Sequence, residues 1–269
     1  MTETIAFIGG GNMARSLIGG LLRQGAQRQS LRASEPGLAL REGLSEDFDI
    51  ATFNDNVAAA TGAAVWVLAV KPQVMGTVLG ELAPLAAQAR PLVISIAAGV
   101  TVARIDAALG GHARVVRTMP NTPALIGAGV TGLLVNPALS RDECALVERL
   151  LGAAGATTWI DNESQMDAVT AVSGSGPAYF FLMIEALIAA GIRQGLPPAT
   201  AATLAKHTAL GAARMAIESE EPPEDLRQRV TSPGGTTAAA INAFETGGFA
   251  ELVARAVEAA TRRGRELGV

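Results

Sequence analysis

Short apolar runs alternate with longer amphipathic stretches through the first part of the chain. Runs rich in Val, Ile and Leu lie near Ile5–Ile8, Leu31–Ser34, Ala64–Val70, Leu92–Ile96 and Val115–Met119. Continuously apolar runs of this length read as strands buried on both faces, which is the signature of a mostly parallel sheet with helices above and below. The intervening segments Met13–Gln24, Gln73–Ala87 and Val102–Leu109 read as those helices. A further strand near Gly129–Val135 and a helix at Ser140–Gly152 extend the same array. The alternation predicts a doubly wound α/β domain over residues 1–161.

After Asp161 the pattern changes. No strand is legible from Ala168 onward, and Ala-rich helical segments run Pro177–Gly195, Pro198–Glu220, Gly234–Thr246 and Phe249–Leu267, broken at Pro197 and at Pro222–Pro223. Residues 162–269 therefore read as an all-helical second domain. Hydrophobic residues make up 49% of the chain and aromatics only 4%, so the interior must be built from small aliphatic side chains that let helices approach closely. Four such helices carry more apolar surface than they can hide among themselves, which points to a homo-oligomer. The longest apolar run, Tyr179 to Ile192, contains Glu185, is short for a bilayer, and reads as a buried helix; no membrane partner is expected.

Charge and cysteine content narrow the function. A net charge of −4 with both signs interspersed leaves no basic footprint for nucleic acid. Cys144 stands alone, so an internal disulfide and a cysteine-based metal site are both ruled out, and no metal is expected. The chain passes through Glu3 straight into an apolar strand, without the basic region and cleavable apolar run of a secretory signal. A reducing, cytoplasmic setting fits these features.

The chemistry begins at Ile5-Ala-Phe-Ile-Gly-Gly-Gly-Asn-Met-Ala14. Gly9, Gly11 and Ala14 occupy the positions of a G-x-G-x-x-A fingerprint that follows a strand and opens a helix. Gly9 allows the tight turn, Gly11 lets backbone approach a pyrophosphate, and Ala14 lets the helix pack on the strand, as in a Rossmann dinucleotide-binding unit. The helix N-terminus then faces the anion. At Ser34-Glu35-Pro36 the second strand ends where an acidic side chain would bind the ribose 2′-hydroxyl of NAD, or a hydroxyl the 2′-phosphate of NADP; the sequence offers both, and the choice stays open. Lys71 and Pro72 follow the strand at Ala64–Val70, at the sheet edge where ligands bind, and position alone leaves a ligand contact and a solvated strand-end lysine equally open.

Three Gly/Pro-rich clusters lie further along. Met119-Pro-Asn-Thr-Pro123 reads as a stiffened loop in which Asn121 bonds a ligand or neighbouring backbone, or as a capped turn. Ser173-Gly-Ser-Gly-Pro-Ala-Tyr179 and Ser232-Pro-Gly-Gly-Thr-Thr237 each start a helix, the latter with a Ser cap, two open Gly amides and two hydroxyls, an arrangement suited to a carboxylate. Neither lysine (Lys71, Lys206) nor histidine (His112, His207) falls in these helix starts. Reduction of a ketone needs a strong general acid at the forming alkoxide, whereas an imine nitrogen takes up a proton readily, so the motif set leans toward C=N reduction.

Taken together, Phe7-Ile-Gly-Gly-Gly-Asn-Met-Ala14, Ala69-Val-Lys-Pro72, Ala97-Ala-Gly99, Met119–Pro123, Ser173–Tyr179 and Ser232–Thr237 resemble pyrroline-5-carboxylate reductase over essentially the whole chain. The resemblance implies an NAD(P)H-dependent reduction of 1-pyrroline-5-carboxylate to L-proline. It places Gly9, Gly10, Gly11, Asn12, Met13, Ser34, Pro36, Asn56, Val70, Lys71, Ala97 and Ala98 against NADP or NAD. Glu163, Ser232, Gly234, Gly235, Thr236 and Thr237 would surround the substrate, with the Thr237 hydroxyl on the ring nitrogen as the catalytic contact. It also implies interlocked dimers and a ring of five dimers. Two residues depart from the pattern. Glu35 sets a carboxylate beside the position of a 2′-phosphate, and Arg229, where some members carry a polar amide, is left outside the site. The rival readings are a β-hydroxyacid dehydrogenase-like oxidoreductase, whose catalytic lysine the segment Pro177–Gly195 lacks, and a non-catalytic NAD(P)-sensing module.

Overall fold

The computed structural model describes residues 3–134, 136 and 139–267. In chain order the first elements are β1 (Ile5–Ile8), α1 (Asn12–Arg23), β2 (Leu31–Ser34), α2 (Leu38–Phe48), β3 (Ala51–Phe53), α3 (Asn56–Ala60), β4 (Val65–Leu68), α4 (Pro72–Ala89), β5 (Leu92–Ser95), α5 (Val102–Ala108) and β6 (Arg114–Met119). They are followed by β7 (Gly129–Leu134), α6 (Arg141–Gly152), β8 (Gly155–Ile160) and α7 (Met166–Val169), which leads into a π-helical turn at Thr170–Gly174. Five helices complete the chain: α8 (Gly176–Arg193), α9 (Pro198–Glu218), α10 (Pro223–Arg229), α11 (Thr236–Thr246) and α12 (Phe249–Leu267).

All eight strands form one sheet in the order β3-β2-β1-β4-β5-β6-β7-β8. The first six are parallel; β7 turns antiparallel to β6, and β8 runs parallel to β7. The first six strands have the Rossmann order, with its switch point between β1 and β4. Alternation along each strand divides the core between two faces. Ile5, Phe7, Val65, Val67 and Ile94 pack with Leu17 and Leu21 of α1 on one side. Ala6, Ile8, Trp66, Leu68 and Val93 pack with Met75 and Leu79 of α4 on the other. The expected strands match within a residue or two. Ala69 and Val70 lie beyond the fourth, and Val135, expected to end the strand after Gly129, is outside the described residues.

The chain divides into two compact units. One contains everything up to Ser175 together with the end of α12 from Ala260; the other is Gly176–Ala259. The division falls after residue 161 because α7 and the π turn stay with the sheet: an ideal Cβ on Gly132 of β7 would lie 2.7 Å from Val169. In the helical unit α8 packs on α9, where an ideal Cβ on Gly191 would lie 3.4 Å from the Ala201 methyl; Ala201 and Ala205 are the only side chains of that unit among the buried apolar residues described.

One expectation fails in the single chain. The apolar run Tyr179–Ile192 lies in α8 but is not buried: Phe180 is 69% exposed, and Phe181 and Leu182 are exposed with it. The apolar stretch is also longer than it looked, because the helical run Glu163–Arg193 continues through the turn ahead of α8. By length and composition alone this 31-residue run is long and apolar enough to cross a membrane: its most apolar 18 residues have a mean hydropathy of 1.5, and 6% of them are buried. Periodicity reports that a side chain is apolar, and among the described residues none covers this face of α8.

Candidate active site

The turn between β1 and α1 is built as its glycines require. Gly9 sits at φ +105°, and a Cβ there would meet the Ala69 carbonyl oxygen at 2.7 Å, so only glycine can cross the end of β4. Ala14 is fully buried against the sheet. Helix α1 begins at Asn12 with Gly11 as an N-cap that offers no side-chain acceptor, and its first turn holds no acidic residue. A Cβ on Gly11 would meet nothing within 4 Å. An uncapped helix N-terminus with open space at its entry fits the pyrophosphate of a dinucleotide.

The middle glycine behaves differently. The Gly10 amide donates to Glu35 Oε2 at 3.0 Å, and the Gly37 amide donates to Glu35 Oε1 at 2.9 Å, so both oxygens of Glu35 are held by backbone. At the end of β2, Ser34 is buried at 1% exposure and its hydroxyl donates to Asn56 Oδ1 at 2.8 Å. Asn56, at the start of α3, donates from Nδ2 to Glu81 Oε2 of α4, also at 2.8 Å. Pro36 is exposed in the adjoining turn, braced by Arg41, which donates to the Glu35 and Pro36 carbonyls. Val70 follows β4, Lys71 is the exposed N-cap of α4, Ala97 is buried and Ala98 exposed just past β5. Ile8, Ser34, Leu68 and Ser95 are the last residues of four adjacent parallel strands, so these expected cofactor residues gather at one carboxyl edge of the sheet.

Glu163, expected on the substrate side, stands in the sheet unit with partners of its own. Its Oε1 accepts from the α5 amide of Val102 at 2.9 Å and from Arg117 Nη1 at 3.0 Å. Arg117 lies on β6 with its side chain 8% exposed. Sequence reading missed this arginine, because an Arg inside an apolar strand shows its need for a partner only once the fold brings residue 163 to it. Two of the Gly/Pro motifs also turn out to face each other. Asn121 accepts from the Val130 amide at 2.9 Å and donates to the Ser173 carbonyl at 3.1 Å, while a Cβ on Gly174 would lie 2.6 Å from the Met119 methyl. Of the two readings of Asn121, the structure shows backbone bonding. The extra residue of the π turn, closed by Ser175 donating to the Thr170 carbonyl, offers Asn121 that Ser173 carbonyl.

The Ser232–Thr237 stretch belongs to the helical unit. Helix α11 starts at Thr236, two residues later than expected, with Gly235 as the N-cap and no side-chain cap. The Ser232 side chain does not cap the helix; instead the Ser232 carbonyl accepts from the Gly235 amide in a tight turn with Gly234 at φ +71°. This leaves a helix start built from backbone amides, with Ser232, Gly234 and Thr236 exposed and Gly235 and Thr237 half-buried. Among the described residues no group of three or more His, Cys, Asp or Glu side chains could hold a metal.

A Rossmann sheet with an uncapped, glycine-entered helix at its switch point defines a dinucleotide-dependent oxidoreductase. Residues 4–99 match the family model "NADP oxidoreductase coenzyme F420-dependent", and residues 163–267 match "Pyrroline-5-carboxylate reductase dimerisation". A pyrroline-5-carboxylate reductase of Pseudomonas aeruginosa is 51% identical over 266 residues, 99% of this chain and 97% of that protein. The solved structure of a pyrroline-5-carboxylate reductase from Coxiella burnetii superposes with a TM-score of 0.96 at 43% identity, covering 99% of each chain. The Plasmodium falciparum pyrroline carboxylate reductase, solved with NADP bound, superposes at 0.85 with 30% identity over 100% of this chain and 99% of that one. This chain belongs to the pyrroline-5-carboxylate reductase family, the NAD(P)H-dependent oxidoreductases of the final step of L-proline biosynthesis.

Proposed function

We propose that the carboxyl edge of β2, β1, β4 and β5 holds NADH or NADPH, and that the start of α11 holds 1-pyrroline-5-carboxylate. The observation that carries this reading is the convergence of the uncapped α1 N-terminus with Ser34, Asn56, Val70, Lys71, Ala97 and Ala98 at that one edge. Gly9, Gly10 and Gly11 shape the turn, Asn12 and Met13 lead the helix, and Ser34, Pro36 and Asn56 meet the adenosine end. When bound, the reduced nicotinamide supplies a hydride to the C=N carbon.

The chain supplies orientation and one hydrogen bond. The amides of Gly234, Gly235 and Thr236, with the Ser232 hydroxyl, bind the substrate carboxylate at the positive end of α11. The Thr237 hydroxyl bonds the ring nitrogen, which takes up a proton from water as the carbon takes up the hydride. Thr237→Val tests this assignment: turnover should fall by about a hundred- to a thousandfold with the NADH dissociation constant unchanged. Unaltered turnover would remove Thr237 from the chemistry.

The functional unit is a homodimer, assembling as a pentamer of dimers, in the cytoplasm, without nucleic-acid or membrane partners. Exposed Phe180, Phe181 and Leu182 on α8, and an open pocket of about 690 Å³ whose apolar lining of Met183, Leu187, Phe244 and Phe249 is edged by Arg227, Glu245 and Glu251, support a second copy as the cover for the helical unit. So does the dimerisation model that spans it.

A further inference from the structure

We infer that Glu81 selects NADH over NADPH, acting as a positioning residue through Asn56 and Ser34. The inference rests on the cofactor placement above and concerns only the end of β2, where the adenosine ribose would lie. An ionised carboxylate can only accept hydrogen bonds, so Glu81 Oε2 draws the Asn56 amino group toward α4. That leaves Asn56 Oδ1 to face β2, where it takes the single hydroxyl proton of the buried Ser34. With the proton spent, Ser34 has only oxygen lone pairs left to offer, and at 1% exposure a ribose meets them only by displacing the groups that cover the hydroxyl.

Such an end suits a hydroxyl and not a phosphate. A ribose 2′-hydroxyl brings its own proton and can donate to Ser34 Oγ. A 2′-phosphate carries roughly two negative charges and needs donors. To provide one, Ser34 would have to release Asn56, and the flipped amide would turn its oxygen on the Glu81 carboxylate. Glu35 adds a second carboxylate at the same strand end. It is not free to swing aside, since the amides of Gly10 and Gly37 hold its two oxygens. An acidic side chain at the end of the second strand is the usual device for reading a ribose diol. Here a second one, from α4, five elements further along the chain than β2, sets the hydrogen-bond polarity of the hydroxyl beside it.

The test is equilibrium titration of the full chain with NADH and with NADPH, read by nicotinamide fluorescence, for wild type, Glu81→Gln and the double variant Ser34→Ala/Glu81→Gln. Wild type should bind NADH more tightly. Glu81→Gln removes one like charge and frees the amide to flip, so NADPH should tighten by about three- to tenfold, with NADH and the melting temperature nearly unchanged. Ser34→Ala on that background should take the NADPH gain back, because the released hydroxyl is its source. Parallel shifts for both cofactors, or a ratio that Glu81→Gln leaves where it was, would overturn the inference while leaving the cofactor site intact. Binding of neither cofactor by wild type would overturn both.

Discussion

Removing the Glu163 carboxylate should destabilise the protein even with no ligand present. Two groups lose their acceptor in Glu163→Ala: the Arg117 guanidinium at 3.0 Å and the first amide of α5, Val102 N, at 2.9 Å. A hydrogen bond to a charged group contributes about 1.5–3 kcal/mol, and a carboxylate at a helix N-terminus about 0.3–1 kcal/mol. Stranding a fully buried ion costs about 3–5 kcal/mol, but the Glu163 side chain is 33% exposed, so water recovers part of that loss. The expected net loss is roughly 2–3 kcal/mol, or a drop of about 4–12 °C in melting temperature. Glu163→Gln keeps an acceptor oxygen and should lose about half as much. Thermal unfolding followed by circular dichroism at fixed protein concentration, without cofactor or substrate, reads the effect. A melting temperature within about 1 °C of wild type would refute the assignment of Glu163 as the anchor of Arg117 and leave it to the substrate alone.

Asn121→Leu should cost about 2–3 kcal/mol in denaturant unfolding, since it strands the Val130 amide and the Ser173 carbonyl; an unchanged midpoint would mean the two motifs are not joined through this amide. Glu143, in the capping box of α6, is raised by its burial, the largest single influence, but the Ser140 backbone amide, Arg114 and the Ser140 hydroxyl together hold it below the usual glutamate value. Its stabilisation is therefore present above the unfolded-state pKa and lost as pH falls through the depressed one. The melting-temperature gap between wild type and Glu143→Gln should be open at neutral pH and close in acid. Phe181→Glu, on the exposed face of α8, should shift the mass by light scattering toward the single chain; an unchanged mass would place the dimer contact elsewhere.

The cofactor half of the protein was legible because its signals are local. The turn from β1 into α1 needs glycine where φ is positive and where backbone crosses backbone, and those needs are written at consecutive positions. What escaped notice was short, at an edge, or dependent on distant partners. Strand β3 has three residues at the sheet edge, none buried, so no apolar run announces it. In β8, Gly155-Ala-Thr-Thr-Trp-Ile160 mixes small and polar residues, and the outer edge of the sheet demands little more. The Arg117–Glu163 and Asn56–Glu81 contacts join residues 46 and 25 positions apart, spacings that mean nothing until the sheet is assembled. The exposed apolar face of α8 shows the converse: its apolar pattern is legible in the sequence, yet that pattern does not say whether the face is buried.

The most direct test of the central claim is isotopic. Purified protein should be given 1-pyrroline-5-carboxylate with NADH or NADPH deuterated at the transferable position, and the product examined by NMR. The account predicts L-proline carrying one deuterium on the ring carbon next to nitrogen and remote from the carboxylate. Proline without that label, or no proline while the cofactor stays bound and reduced, would contradict it.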